Sequence, residues 1–127
     1  MKKTIHTLNA PTPIGPYSQA KKAGNLLFVS GQIAINPPDG PLVMDSIEAE
    51  THRVMTNIGA ILKEAGTDFS HIVKTSIFLR DMNDFSAVNS VYGSYFSDDF
   101  PARETVQVSR LPKDVNVEIS VIALLGV

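Results

Sequence analysis

Between positions 47 and 65 the apolar residues return every three or four places. Ile47, Thr51, Val54, Met55, Ile58, Ile61, Leu62 and Ala65 trace one face of a helix. Asp45, with Glu48 three residues on, reads as a capping box, and Gly66 reads as a left-handed stop. Glu50, His52, Arg53, Asn57, Lys63 and Glu64 are expected on the opposite, solvated face. Residues 71–79 alternate as a strand does, with Ile72, Lys74, Ser76 and Phe78 against Val73, Thr75, Ile77 and Leu79. A second helix follows Asp84, its expected cap, with Phe85, Val88, Tyr92, Tyr95 and Phe96 as its apolar stripe.

The rest of the chain reads as strands and loops. Residues 3–8 form a short first strand, and the proline-bearing residues 9–15 a loop. Residues 17–22 and 26–33 flank Gly24-Asn25 and predict a hairpin. Residues 36–41, with three prolines, form a rigid surface loop. Strands over 103–110 and 115–125, joined by residues 111–114, finish the chain. The order β-β-β-α-β-α-β-β implies crossovers and a mixed sheet.

Two helices cannot cover both faces of six strands. Along the strand at 103–110, Val106 and Val108 point one way, and Arg103, Thr105, Gln107 and Ser109 the other. The polar side is expected to be the uncovered face, shared with Glu118, Ser120, Ile122 and Leu124. Such a mixed face is solvated or covered by another subunit, and the long apolar last strand favours the subunit.

Composition narrows the function. At 127 residues the chain predicts a single domain spanning 1–127, with 43% hydrophobic and 19% charged residues. The formal net charge of −2 speaks against a nucleic-acid partner. With no cysteine there is no thiolate chemistry. Lys2 and Lys3 are not followed by an apolar run, and no stretch is long and apolar enough to span a bilayer. A cytoplasmic protein is expected. His6, His52 and His71 lack metal-ligand spacing and read as bystanders, and no Gly-rich phosphate loop is present.

Two charges inside strand-like segments carry the candidate chemistry. Residues 115–125 are almost continuously apolar, as in a central strand covered on both faces, yet they contain Glu118. A carboxylate there is an acid/base group with a pKa raised by burial, or half of a structural ion pair. Arg103 is a two-point clamp for a carboxylate, or a surface or interface salt bridge. A regular hairpin would set Glu118 opposite about Gln107, with Arg103 roughly 13 Å away along the strand. Either the two strands are not neighbours, or something bridges the pair. Ser30-Gly31-Gln32 allows a ligand to approach a backbone N–H, or marks a bulge. Tyr17 faces a cleft or packs in a turn; Asn89 lines a site or is an exposed helix residue.

Taken in order, several segments resemble the reactive intermediate deaminase (Rid, or YjgF) family, deaminase A branch. They are residues 13–20 (PIGPYSQA), 29–33 (VSGQI), Phe85 to Asn89 with Val91 and Tyr92, 101–103 (PAR), 110–115 (RLPKDV) and 117–119 (VEI). The resemblance runs through essentially the whole chain. It implies a chorismate-mutase-like α+β fold, with two helices on one face of a six-stranded mixed sheet, a central last strand, and a homotrimer with clefts between subunits. It implies hydrolysis of short 2-imino acids, 2-iminobutanoate and 2-iminopropanoate, to 2-keto acids and ammonia without cofactor or metal. Arg103 would grip the substrate carboxylate and Glu118 would manage water and proton. The N–H groups of Gly31 and Thr105 would hold the substrate, with Tyr17, Ser30 and Asn89 lining the pocket. Thr105 replaces a common cysteine, Glu104 a small residue and Ser120 a second glutamate, which bears on rate and substrate preference. The competing functions are a 2-keto acid binding module without turnover, and an endoribonuclease or translation inhibitor.

Overall fold

The sheet is built around its last strand. The computed structural model describes residues 1–126 and contains six strands and two helices: β1 (Lys2–Ile5), β2 (Ala20–Ala23), β3 (Leu26–Gln32), α1 (Ile47–Ala65), β4 (Ile72–Leu79), α2 (Phe85–Gly93), β5 (Ala102–Gln107) and β6 (Val117–Leu124). Their spatial order is β1-β2-β3-β6-β4-β5, with β5 parallel to β4 and the other pairs antiparallel. Every element expected from the pattern is present, though the strands are shorter at their ends. β6 lies in the middle, as its apolar run implied. β5 and β6 are separated by β4, which removes the register puzzle. They are linked through a tight turn at Pro112–Asp114 rather than a hairpin.

Both helices lie on one face. Val117, Ile119, Val121 and Ala123 of β6 point into the core beneath α1. Val54, Met55, Ile58, Ile61 and Leu62 of α1 are fully buried there. At roughly 2 kcal/mol per buried side chain, these five hold the helix far more strongly than its caps, each worth about 1 kcal/mol. The N-cap is Ser46, whose hydroxyl accepts from the Ala49 N–H at 3.0 Å, rather than Asp45. Asp84 makes no side-chain cap; Asp81 caps the turn before it, accepting from the Asn83 N–H. Tyr95 and Phe96 continue the stripe of α2 past its end and stack with Phe69. Among the described residues no helix is long and apolar enough to cross a membrane.

Two further sequence expectations fail. Glu50 and Asn57, expected in solvent, are fully buried on the inner side of α1. Arg103 and Thr105 do not share a face with Glu118. Arg103 pairs with Thr75, which pairs with Val121, so all three point to the helix side. Glu118 pairs with Phe78, which pairs with Val106, so these point to the open side. Alternation along β5 was read correctly, but its absolute direction is set by β4. The open face therefore carries Phe28, Phe78, Val106, Ile122 and Leu124 around Lys74, Ser76, Glu104, Glu118 and Ser120.

Gly66 ends α1 at φ 85°, donating its N–H to the carbonyls of Leu62 and Lys63. Gly66→Ala meets no clash but must hold a left-handed backbone. It is expected to lower unfolding free energy by about 1 kcal/mol without changing the m-value, as measured by urea denaturation.

Candidate active site in two halves

The first half is built on β5 and α2. Phe85, Asn89 and Tyr92 are spaced i, i+4, i+7, so they share one side of α2. The Arg103 guanidinium lies against that side. Its Nη1 donates to Asn89 Oδ1 at 2.7 Å. Its carbon lies 5.2 Å from the Tyr92 ring centroid and 5.7 Å from that of Phe85, in cation–π range. Arg103 has no salt-bridge partner among the described residues, which leaves most of its fork for an anion. It opens on a cleft of about 320 Å³ lined by Asn89, Tyr92, Gly93, Phe100 and Pro101. Tyr92 donates its hydroxyl to Thr75 Oγ1 at 2.9 Å, and burial raises its pKa, so it stays a neutral support.

Thr105 lies two residues along the same edge strand. The Val108 N–H donates to the Leu79 carbonyl, so by alternation the Thr105 N–H points off the free edge of the sheet. Its hydroxyl oxygen is buried without a hydrogen-bond partner. Glu104 faces the other way, salt-bridged to Lys74 at 2.7 Å and accepting from Ser76. Those bonds, Lys74 first, hold its pKa below the ordinary value. Its charge is thus balanced on the face away from Arg103.

The second half is built on β3 and β6. Their register slips between Val29 and Gln32, placing a bulge at Ser30-Gly31. The Glu118 carboxyl packs directly on the Gly31 backbone. A methyl group on Gly31 would lie 2.8 Å from Glu118 Cδ and overlap a carboxylate oxygen, so only glycine admits this contact. Tyr17 and Gly31 line one small cleft with Ile14, Gln19 and Ile33. The Tyr17 hydroxyl accepts from the Ile14 N–H at 3.2 Å. Ser30 turns inward, donating to the Ser18 carbonyl at 2.6 Å, and so shapes the bulge. Burial alone raises the Glu118 pKa, and no cation pairs with it among the described residues.

The structure thus gathers the seven expected residues into two groups. Arg103, Asn89 and Thr105 form one; Glu118, Gly31, Tyr17 and Ser30 form the other. Within one chain the groups lie on opposite sides of the sheet. Phe85 and Tyr92 were read from sequence as apolar stripe and as part of the family motif, with no role at the site, yet they bed the arginine. Their shared helix side with Asn89 was the available signal. The three histidines do not converge: His52 bonds Tyr95, and His71 bonds Asp68.

Such a sheet, with two helices and a mixed strand order, defines a group of small α+β proteins. The model of the family described as Endoribonuclease L-PSP matches residues 7–125. The chain belongs to that family, the YjgF/Rid family its motifs resemble. A RutC family protein of Pyrococcus horikoshii is 54% identical over 123 residues, covering 97% of this chain and 98% of that one. A Bos taurus protein named 2-iminobutanoate/2-iminopropanoate deaminase is 48% identical over 126 residues, covering 99% and 92%. The crystal structure of YyfA, a conserved Rid family protein from Yersinia pestis, superposes with a TM-score of 0.95 at 52% identity, covering 98% and 100%.

The raised Glu118 pKa has a consequence for stability. A carboxyl whose pKa rises on folding binds its proton more tightly in the folded state. Stability is then full below the ordinary carboxylate pKa and falls as pH climbs toward the raised value. Glu118→Gln removes that loss. At pH 7 the variant is expected to melt no lower than wild type, and any advantage fades below about pH 4. Melting temperature against pH for both proteins checks this; a variant clearly less stable at pH 7 would restore the ion-pair reading.

Proposed function

We propose that the protein is a cytoplasmic, hydrolytic deaminase of short 2-imino acids such as 2-iminobutanoate and 2-iminopropanoate, working as a homotrimer. One observation carries the reading: an arginine fork and a half-buried carboxyl, neither with an ion-pair partner among the described residues, lie on opposite faces of one sheet. By strand spacing and register their Cα atoms are roughly 14 Å apart. Two copies meeting along the free edge of β5 and the open face beside β6 could bring them to one ligand. The exposed Phe28 and Val106 on that face supply apolar area for such a contact. The relatives named as deaminases support the substrate class.

In that cleft Arg103, steadied by Asn89, holds the substrate carboxylate in a two-point contact. The outward Thr105 N–H and the Gly31 backbone help orient it, with the Tyr17 ring as a wall. The Glu118 carboxylate takes a proton from water as its oxygen bonds to the imine carbon. The C=N bond becomes a C–N single bond and nitrogen gains the proton. The same carboxyl then carries the hydroxyl proton of this carbinolamine to nitrogen; as the C=O bond forms the C–N bond breaks, releasing ammonia and the 2-keto acid. A carboxyl with a raised pKa suits both halves of that transfer. A keto-acid binding module would have no use for it. A net charge of −2 does not favour an RNA backbone as substrate.

The test is a coupled assay in which threonine dehydratase generates 2-aminocrotonate, the enamine tautomer of 2-iminobutanoate, and 2-ketobutyrate release is followed. Wild type is expected to speed release. Arg103→Lys is expected to lose on the order of a hundredfold, because an ammonium cannot reproduce the fork. No acceleration, with ketobutyrate still bound in calorimetry, would select the binding module.

Gly31→Ala gives a sharper variant. The three atoms nearest the added methyl all belong to the Glu118 side chain, whose flexible end can swing away. Melting temperature is expected to change little while turnover falls on the order of a hundredfold. Wild-type turnover in this variant would mean that the Glu118–Gly31 contact is irrelevant to catalysis.

A further inference from the structure

Three polar side chains of α1 are fully buried and unused by the proposed chemistry; Thr51 bonds back to the Ile47 carbonyl of its own helix, while Glu50 and Asn57 reach across to other segments. Glu50 and Asn57 are seven residues apart, about two turns, so they share one side of the helix. The Glu50 carboxylate accepts from the Asn116 N–H at 2.8 Å, the Asn116 side-chain amide at 2.8 Å and the Val117 N–H at 3.3 Å. It has no salt-bridge partner among the described residues. Asn57 Nδ2 donates to the carbonyls of Ile33 at 3.2 Å and Ile35 at 3.0 Å.

These partners mark the place where two strands part. β3 follows β6 only to the Gln32–Ile119 pair and then turns away. The start of β6 loses its neighbour on that side, and the departing segment turns on itself, the Ile35 N–H donating to the Ile33 carbonyl at 2.8 Å. Glu50 supplies acceptors to Asn116 and Val117 at the start of β6, and Asn57 adds a second donor to the Ile33 carbonyl and a donor to that of Ile35. The chain also enters β6 under strain: Lys113 and Asp114 both have φ 56°. The fork between the strands opens beside Gly31 and Glu118, the latter one residue after Val117. Three donors and no acceptor face the Glu50 oxygens. A glutamine there would keep one acceptor oxygen but turn its NH₂ donor against donors that ask for a second acceptor.

We propose that Glu50, seconded by Asn57, is a positioning residue that sets the width of the β3–β6 fork and so places the Glu118 carboxyl on Gly31. It touches neither Glu118 nor the substrate. The kinetic consequence rests on the deaminase reading; the structural one does not.

Glu50→Gln in the full chain tests both. By NMR, amide exchange at Val117 is expected to quicken and the Gly31 amide resonance to shift. In the coupled assay kcat is expected to fall ten- to a hundredfold, on the order of a sub-ångström to 1 Å misplacement, with KM within about twofold because Arg103 still holds the carboxylate. Ile61→Val, which trims the core side of the same helix, controls for plain destabilisation. It is expected to lower melting temperature and leave kcat per folded molecule intact. An unshifted Gly31 resonance, or a kcat loss that Ile61→Val reproduces at equal loss of melting temperature, overturns the proposal. If wild type shows no deaminase activity, that reading fails while the Gly31 resonance still decides the fork. If Glu50→Gln does not fold, Glu50→Asp, with the charge kept at shorter reach, is read by the same two measurements.

Discussion

The pairing of β4 with both β5 and β6 is the constraint on which the rest of the site depends. Thr75 aligns with Arg103 on one side and Val121 on the other; Phe78 aligns with Val106 and Glu118. Side chains on paired residues share a face, and faces alternate along a strand. A shift of one residue in either pairing would send Arg103 or Glu118 to the other side. The buried Thr75, bonded to Tyr92 of α2, locks the register on the helix side. The arginine is thereby assigned to the helix layer and the glutamate to the open face.

Each half of the site is then finished by local means. Arg103 gains its orientation from a neutral amide and two aromatic rings rather than from a carboxylate. Such a bed holds a guanidinium in place without neutralising it. Glu118 gains its raised pKa from burial and its position from a glycine that alone lets the carboxyl reach the backbone. Glu104, close in sequence to Arg103, is kept out of competition by its Lys74 and Ser76 partners. The open face thus mixes the Lys74–Glu104 pair with exposed apolar side chains.

Much of this was legible in the sequence, for physical reasons. The stripe of α1, its glycine stop, the hairpin at Gly24-Asn25 and the central place of β6 follow from periodicity and turn chemistry. The side occupied by Arg103 did not, because alternation gives relative directions and only the non-local pairing with β4 gives the absolute one. The burial of Glu50 and Asn57 was hidden by their polarity. Yet Glu50 lies four residues before Val54, and Asn57 beside Ile58, on the edge of the apolar stripe. Helical position was the better guide than side-chain type. The division of the site into two groups needed the sheet order, which no local pattern contains.

The central claim is that one working cleft takes its arginine from one copy and its glutamate from another. Mixing two inactive variants tests it most directly: Arg103→Ala and Glu118→Gln, unfolded together and refolded, or coexpressed, in equal amounts. Random assembly leaves intact partners at about a quarter of the clefts of a closed ring. The account predicts that the mixture regains about a quarter of wild-type deaminase activity, while each variant alone stays inactive. A mixture that forms mixed oligomers and remains inactive would show that both residues must belong to the same chain.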